Sequence, residues 1–75
     1  MTSNGKVWVA RFGSNVRRAR TERGWTQGDL ADRTGLSTVQ ISRIERGARE
    51  VRLTTLIRLM TALETASPSL LADLD

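Results

Sequence analysis

A chain of 75 residues with formal net charge +4, no cysteine and no histidine excludes a disulfide frame, a thiol nucleophile and a His-based zinc site. At this length it supports one domain with a modest buried fraction, so a partner subunit would help a marginal core. Of the 12 cations only Lys6 is not arginine, and the planar guanidinium fork grips phosphate and guanine bidentately, which makes nucleic acid the first partner to consider.

The charge is unevenly spread. Through Thr61 the cations face only Glu22, Asp29, Asp32, Glu45 and Glu50, whereas Glu64, Asp73 and Asp75 make the tail purely acidic. The basic part is expected to meet the ligand and the tail to stay away from it. Neither the polar start nor any later run has the apolar length of a signal peptide or a membrane span, which predicts a cytoplasmic protein with no membrane partner.

In chain order, residues 1–6 are polar and expected to be disordered. Val9, Phe12, Val16 and Ala19 then recur at helical spacing, with Arg11, Arg17, Arg18 and Arg20 on other faces, predicting an amphipathic helix from about Val7 to Glu22 that Gly24 ends. Gly13 within it costs roughly 1 kcal/mol against alanine and predicts a kink or a late start. Thr26 caps a second helix, with Asp29 placing favourable charge near its dipole, and Gly35 stops it. Ser37 caps a third, with Gln40 at capping-box spacing and Ile41 and Ile44 facing inward. Beyond Gly47 a polar, arginine-bearing loop runs to Arg52; Leu56, Leu59, Met60 and Leu63 mark a fourth helix, and Ser67 with Pro68 opens a short fifth carrying Leu70, Leu71 and Leu74. Strand alternation is missing throughout, so the expected architecture is all-α, five short helices in a single domain spanning 1–75, with 64–75 as the C-terminal helix.

The run from Thr26 to Gly47 combines four constraints: Leu30 inward, small Ala31 where helices cross, Gly35 at the turn, and Ile41 with Ile44 facing back. This is the pattern of a helix-turn-helix, whose second helix enters the major groove; the competing reading is a helical hairpin in which glycine and alanine serve packing only. On the first reading Thr38 and Val39, then Ser42 and Arg43 one turn later, face base edges. Arg43 suits guanine O6 and N7, and Thr38 and Val39 suit a thymine methyl, which predicts a GC step flanked by T-containing pairs. Against these stand a solvated or phosphate-bound Arg43 and a Val39 used for packing. Ser37 and Gln40 are candidates both for capping and for phosphate contact. Arg46, Arg49 and Arg52 follow closely enough to clamp the backbone, unless they are merely a solvated loop; Arg17 and Arg18 are weaker candidates.

Trp25 is expected to wedge between the first two helices, and Trp8 to pack at the N-terminal edge. Asp29 and Asp32 lie one turn apart but read as exposed, dipole-compensating acids with no third metal ligand. With no convergent base, nucleophile and oxyanion donors, no enzyme, cofactor, metal or small-molecule ligand is expected.

The chain resembles the phage lambda repressor and Cro type of helix-turn-helix, often called XRE-like, over about Phe12 to Leu63. The likeness rests on Arg17 and Arg20 before Gly24, Thr26-Gln27 followed by Leu30-Ala31, Gly35-Leu36-Ser37, and the run from Ile41 to Gly47. Thr34, where an apolar residue is commoner, and a loop near Val51 without the frequent proline depart from the pattern. The resemblance implies a lambda-repressor-like domain with helices two and three as the motif, Gln27 bringing its amide to a phosphate, and a structural ion pair between Arg20 and Glu45. The small size, the Ile44-Glu45-Arg46 stretch and the Val51-Arg52-Leu53 loop look most like controller proteins of restriction-modification systems, which implies autoregulation.

One recognition helix covers few base pairs, so a homodimer reading inverted half-sites of double-stranded DNA is expected, its recognition helices about 34 Å apart. Leu63, Leu70, Leu71 and Leu74 form an arginine-free stripe suited to the dimer contact, or to closing the monomer core. The function expected is a sequence-specific transcriptional regulator, a controller or repressor; the alternative is an antitoxin or protein-interaction module on the same fold.

Overall fold

The computed structural model describes residues 2–48 and 50–63, which form four helices: α1 (Thr2–Glu22), α2 (Gln27–Thr34), α3 (Thr38–Glu45) and α4 (Leu53–Leu63). The expected fifth helix, with Leu70, Leu71 and Leu74, lies outside the described residues, as does Arg49.

The first helix departs from expectation at its start. It begins at Thr2 rather than Val7, so the polar segment expected to be disordered is helical from Thr2 onward. Once a helix is nucleated, each further residue adds a hydrogen bond for the dihedrals it fixes, and polar residues suffice to extend it. Nor does Gly13 interrupt it, because this glycine answers a packing need. A Cβ there would lie 2.9 Å from the carbonyl oxygen of Glu45 and closer still to that of Ile44. Next to it, a Cβ on Gly47 (φ 66°) would sit 2.7 Å from Cα of Ala10. Helix α1 therefore meets the end of α3 main chain to main chain, which only residues without a Cβ permit.

Helices α2 and α3 are too short to persist alone and are defined by their ends. The Thr26 hydroxyl accepts from the Asp29 amide at 3.0 Å while Asp29 Oδ2 accepts from the Thr26 amide at 2.8 Å. Ser37 and Gln40 repeat the arrangement, at 3.1 Å into Ser37 Oγ and 2.9 Å into Gln40 Oε1. Each box satisfies donors that a helix start would otherwise leave open. Gly35, in the left-handed region, closes α2 with a 2.9 Å bond to the carbonyl of Ala31. Thr34 is buried without penalty: its hydroxyl lies 2.8 Å from the carbonyl of Leu30 and accepts from the Leu36 amide at 3.2 Å.

The core is formed by Phe12, Val16 and Ala19 of α1, Leu30 and Ala31 of α2, Ile41 and Ile44 of α3, and Leu59 and Leu63 of α4. Leu63, which from sequence suits either a dimer contact or the monomer core, is fully buried. It lies on the same face of α4 as Leu59 and closes the monomer core. Trp25 packs against the core with the Arg33 guanidinium 4.1 Å from its ring centroid, whereas Trp8 stays half exposed. Arg23 donates to the carbonyl of Ala19 at 2.9 Å and to that of Leu63, tying the ends of α1 and α4 together.

Two outcomes test this account. Gly13→Ala should destabilise the fold by about 2–3 kcal/mol in urea denaturation despite alanine's better helix propensity, because main-chain oxygens cannot rotate aside; an unchanged or raised midpoint would refute the close crossing. The second concerns acid. The Thr26 amide, then the Thr26 side chain, hold the Asp29 carboxyl below the usual carboxylate range, with Arg33 adding attraction. A depressed folded pKa stabilises fully above the unfolded value, about 3.9, and that contribution is lost as pH falls through the folded one. Across that acidic window the urea midpoint of Asp29→Asn should fall less than that of the parent; parallel curves would show that the carboxylate contributes nothing.

Candidate nucleic-acid interface

The candidate surface is built where α2 and α3 begin. Gln27 opens α2 and Thr38 opens α3, and these two line one open recess with Val39, Ser42 and Arg46. Three of the four proposed base readers thus share a surface with two of the proposed phosphate contacts. Val39 is 56% exposed. The Val39 side chain is therefore not part of the core and is open to a contact from outside. Thr38 and Arg46 are exposed, and Ser42 is partly so.

Arg43, the fourth proposed reader, lies elsewhere. It lines a second recess with Gln40, Glu50, Val51, Arg52 and Thr55, between α3 and the start of α4. Successive α-helical residues are separated by about 100°, so Arg43 flanks the face that Val39 and Ser42 share with Arg46. Its neighbour Arg52 was assigned from sequence to the DNA backbone, and both arginines are exposed.

Ser37 and Gln40, read from sequence as either caps or phosphate contacts, are joined to each other as caps. Gln40 Oε1 is turned back to the Ser37 amide, leaving its NH2 as the group for other partners. On α1, Arg18 donates to the side-chain oxygen of buried Asn15 at 2.8 Å.

Behind the recess stands a polar network. Arg20 Nε donates to Glu45 Oε2 at 2.6 Å and Arg20 Nη2 to Glu45 Oε1 at 3.0 Å, a bidentate pair, while Nη1 donates to the carbonyl of Trp25 at 2.7 Å. Hydrogen bonding to Glu45 raises the Arg20 pKa against the opposing effect of burial, with charge attraction adding to it. Sequence resemblance anticipated this pair. It did not anticipate the third partner: Gln27 Nε2 donates to Glu45 Oε1 at 3.1 Å. Gln27 is partly buried, so the residue proposed for phosphate contact is also a link between α2 and α3. The Thr26-Gln27 pair marked the helix start, but no local spacing reveals a contact across 18 residues.

Among the described residues no helix is long and apolar enough to cross a membrane, and no group of three or more His, Cys, Asp or Glu side chains could hold a metal ion.

Comparison with known proteins agrees with this geometry. The sequence profile of the helix-turn-helix family matches residues 16–71. The control protein C.SmaI of Serratia marcescens is 44% identical over 57 residues, covering 76% of this chain and 68% of that protein. An uncharacterised HTH-type transcriptional regulator of Sinorhizobium fredii is 38% identical over 63 residues, 84% of this chain and 82% of its own length. Among solved structures, the restriction-modification controller protein C.AhdI from Aeromonas hydrophila superposes with a TM-score of 0.79 at 35% identity, covering 83% of this chain and 94% of that one. The helix pair with its capped starts, the recess between them and these matches agree: the chain belongs to the XRE-type helix-turn-helix family.

Proposed function

We propose that this protein is a DNA-binding transcriptional regulator that reads inverted half-sites as a homodimer and controls its own promoter. The observation that carries the reading is the exposed Val39, flanked by Thr38 and Ser42 at the start of α3 and bracketed by Gln27 and Arg46. An apolar contact between two hydroxyls suits a thymine methyl beside polar base edges, and the bracketing amide and guanidinium suit the backbone on either side. Likeness to two control proteins supports the autoregulatory part. Arg43 and Arg52, lining one recess, are assigned to guanine and to phosphate respectively, with Arg49 beside them in sequence as a further phosphate contact.

The dimer contact is assigned to α4 and the tail. Leu53 and Ile57, at helical spacing and 69% and 54% exposed, are the apolar side chains that α4 leaves uncovered. They replace Leu63 in that role, alongside Leu70, Leu71 and Leu74 of the tail. Two copies joined there would each present one α3.

A mobility-shift assay with fragments of the gene's own upstream region tests the DNA reading, the expected result being one fragment retained over random duplex at two salt concentrations. In that assay Arg43→Ala should lower selectivity by about 1–3 kcal/mol, while Arg52→Ala should weaken specific and random DNA alike. Equal losses on both DNAs from Arg43→Ala would move Arg43 to the phosphates. Sedimentation should give a dimer for the parent and a monomer for a Leu53→Asp/Ile57→Asp double variant; a parent that is monomeric at DNA-binding concentrations sinks the dimer.

A further inference from the structure

The Glu45 side chain is 3% exposed, and its carboxylate joins α3 to two other helices, through Arg20 of α1 and Gln27 of α2. A carboxylate only accepts hydrogen bonds, so the Gln27 carboxamide must present its nitrogen to it. This contact decides which way round the carboxamide stands. One N–H is spent on Glu45; the second N–H and the carbonyl oxygen remain on a residue that lines the recess with Thr38, Val39, Ser42 and Arg46. Glutamine otherwise has several rotamers and two faces of its amide to choose between, and restricting that freedom costs affinity when it happens on binding. Here the restriction is already in place in the unliganded protein. Arg20 in turn holds Glu45 at 2.6 and 3.0 Å, so the carboxylate cannot swing toward the recess to follow the amide.

We propose that Glu45 is a positioning residue for DNA recognition: without touching DNA, it fixes the donor–acceptor order of the Gln27 carboxamide, so that Gln27 meets an acceptor atom of the DNA with its second N–H already aimed. The inference rests on the DNA-binding reading above. It differs from a purely structural role for Glu45, in which the ion pair with Arg20 clamps α1 to α3 and Gln27 acts independently. In a clamp, loss of Glu45 changes stability but leaves the contribution of Gln27 to DNA binding intact.

A thermodynamic cycle on the full chain separates the two, using fluorescence anisotropy with the retained upstream fragment and with random duplex. Gln27→Ala should weaken specific binding about tenfold, and Glu45→Gln, which keeps the shape but loses the obligate acceptor, by a similar factor. The double variant should bind about as well as either single one, since both remove the same contact. Losses that multiply to roughly a hundredfold, or a folded Glu45→Gln that binds like the parent, overturn the proposal.

If circular dichroism finds Glu45→Gln unfolded, the side-chain amide protons of Gln27 in the parent give the answer. One should exchange slowly and the other rapidly in free protein, with the slow one still protected after DNA is added. Equal, rapid exchange of both in the complex overturns the proposal. A parent that retains no fragment defeats the DNA reading itself and this inference with it, an outcome visible before any variant is made.

Discussion

The structure depends on one carboxylate being placed where a carboxylate is expensive. Removing an ion from water costs several kcal/mol, and in the interior this is offset only when geometry is good and both carboxylate oxygens are hydrogen-bonded. Glu45 meets that condition with two donors from Arg20 and one from Gln27, while the remaining Arg20 nitrogen reaches the carbonyl of Trp25. The same atoms therefore join the end of α1, the turn after it, the first residue of α2 and the last of α3. Apolar packing holds these elements together without direction; the network specifies their orientation. A substitution that leaves either charge alone in the interior removes both at once.

Arginine content pointed to nucleic acid, and the structure divides that content by occupation. Arg20 and Arg23 are bonded to main-chain carbonyls at the joints of the fold, Arg18 supports a buried asparagine, and Arg33 lies over Trp25. Arg43, Arg46 and Arg52 are exposed beside the two recesses. Arginine suits both occupations for the same reason, a rigid planar fork with five donors and weak hydration. Composition therefore could not say which arginines do which.

Local signals were legible in the sequence where their cause is local. The two capping boxes, the glycine stop of α2 and the inward Leu30, Ala31, Ile41 and Ile44 all follow from spacings within one or two turns. What escaped depends on distant parts of the chain. Gly13 read as a weak point in a helix because its reason is the main chain of Ile44 and Glu45. Leu63 suited a dimer contact and the monomer core equally, because only the assembled helices show that it belongs to the core. Exposed Leu53 and Ile57 were hidden among better-patterned leucines, and the bonds of Arg23 to the carbonyls of Ala19 and Leu63 have no signature in the sequence. In the candidate site, residue types grouped Thr38, Val39, Ser42 and Arg43 together, whereas the second recess, which Arg43 lines, depends on where the loop through Arg52 returns.

The glycine crossing has a consequence for how such a protein diversifies. Where helices pack through side chains, exchanging one residue tilts one helix against the other, and anything mounted on them shifts. Here α1 and the end of α3 touch through peptide groups at Gly13 and Gly47, atoms that are the same whatever the neighbouring sequence. The angle at which α3 leaves the body is thereby insulated from its own outer side chains. Outward side chains such as Thr38, Val39 and Arg43 can therefore be exchanged while the mount of α3 keeps its angle.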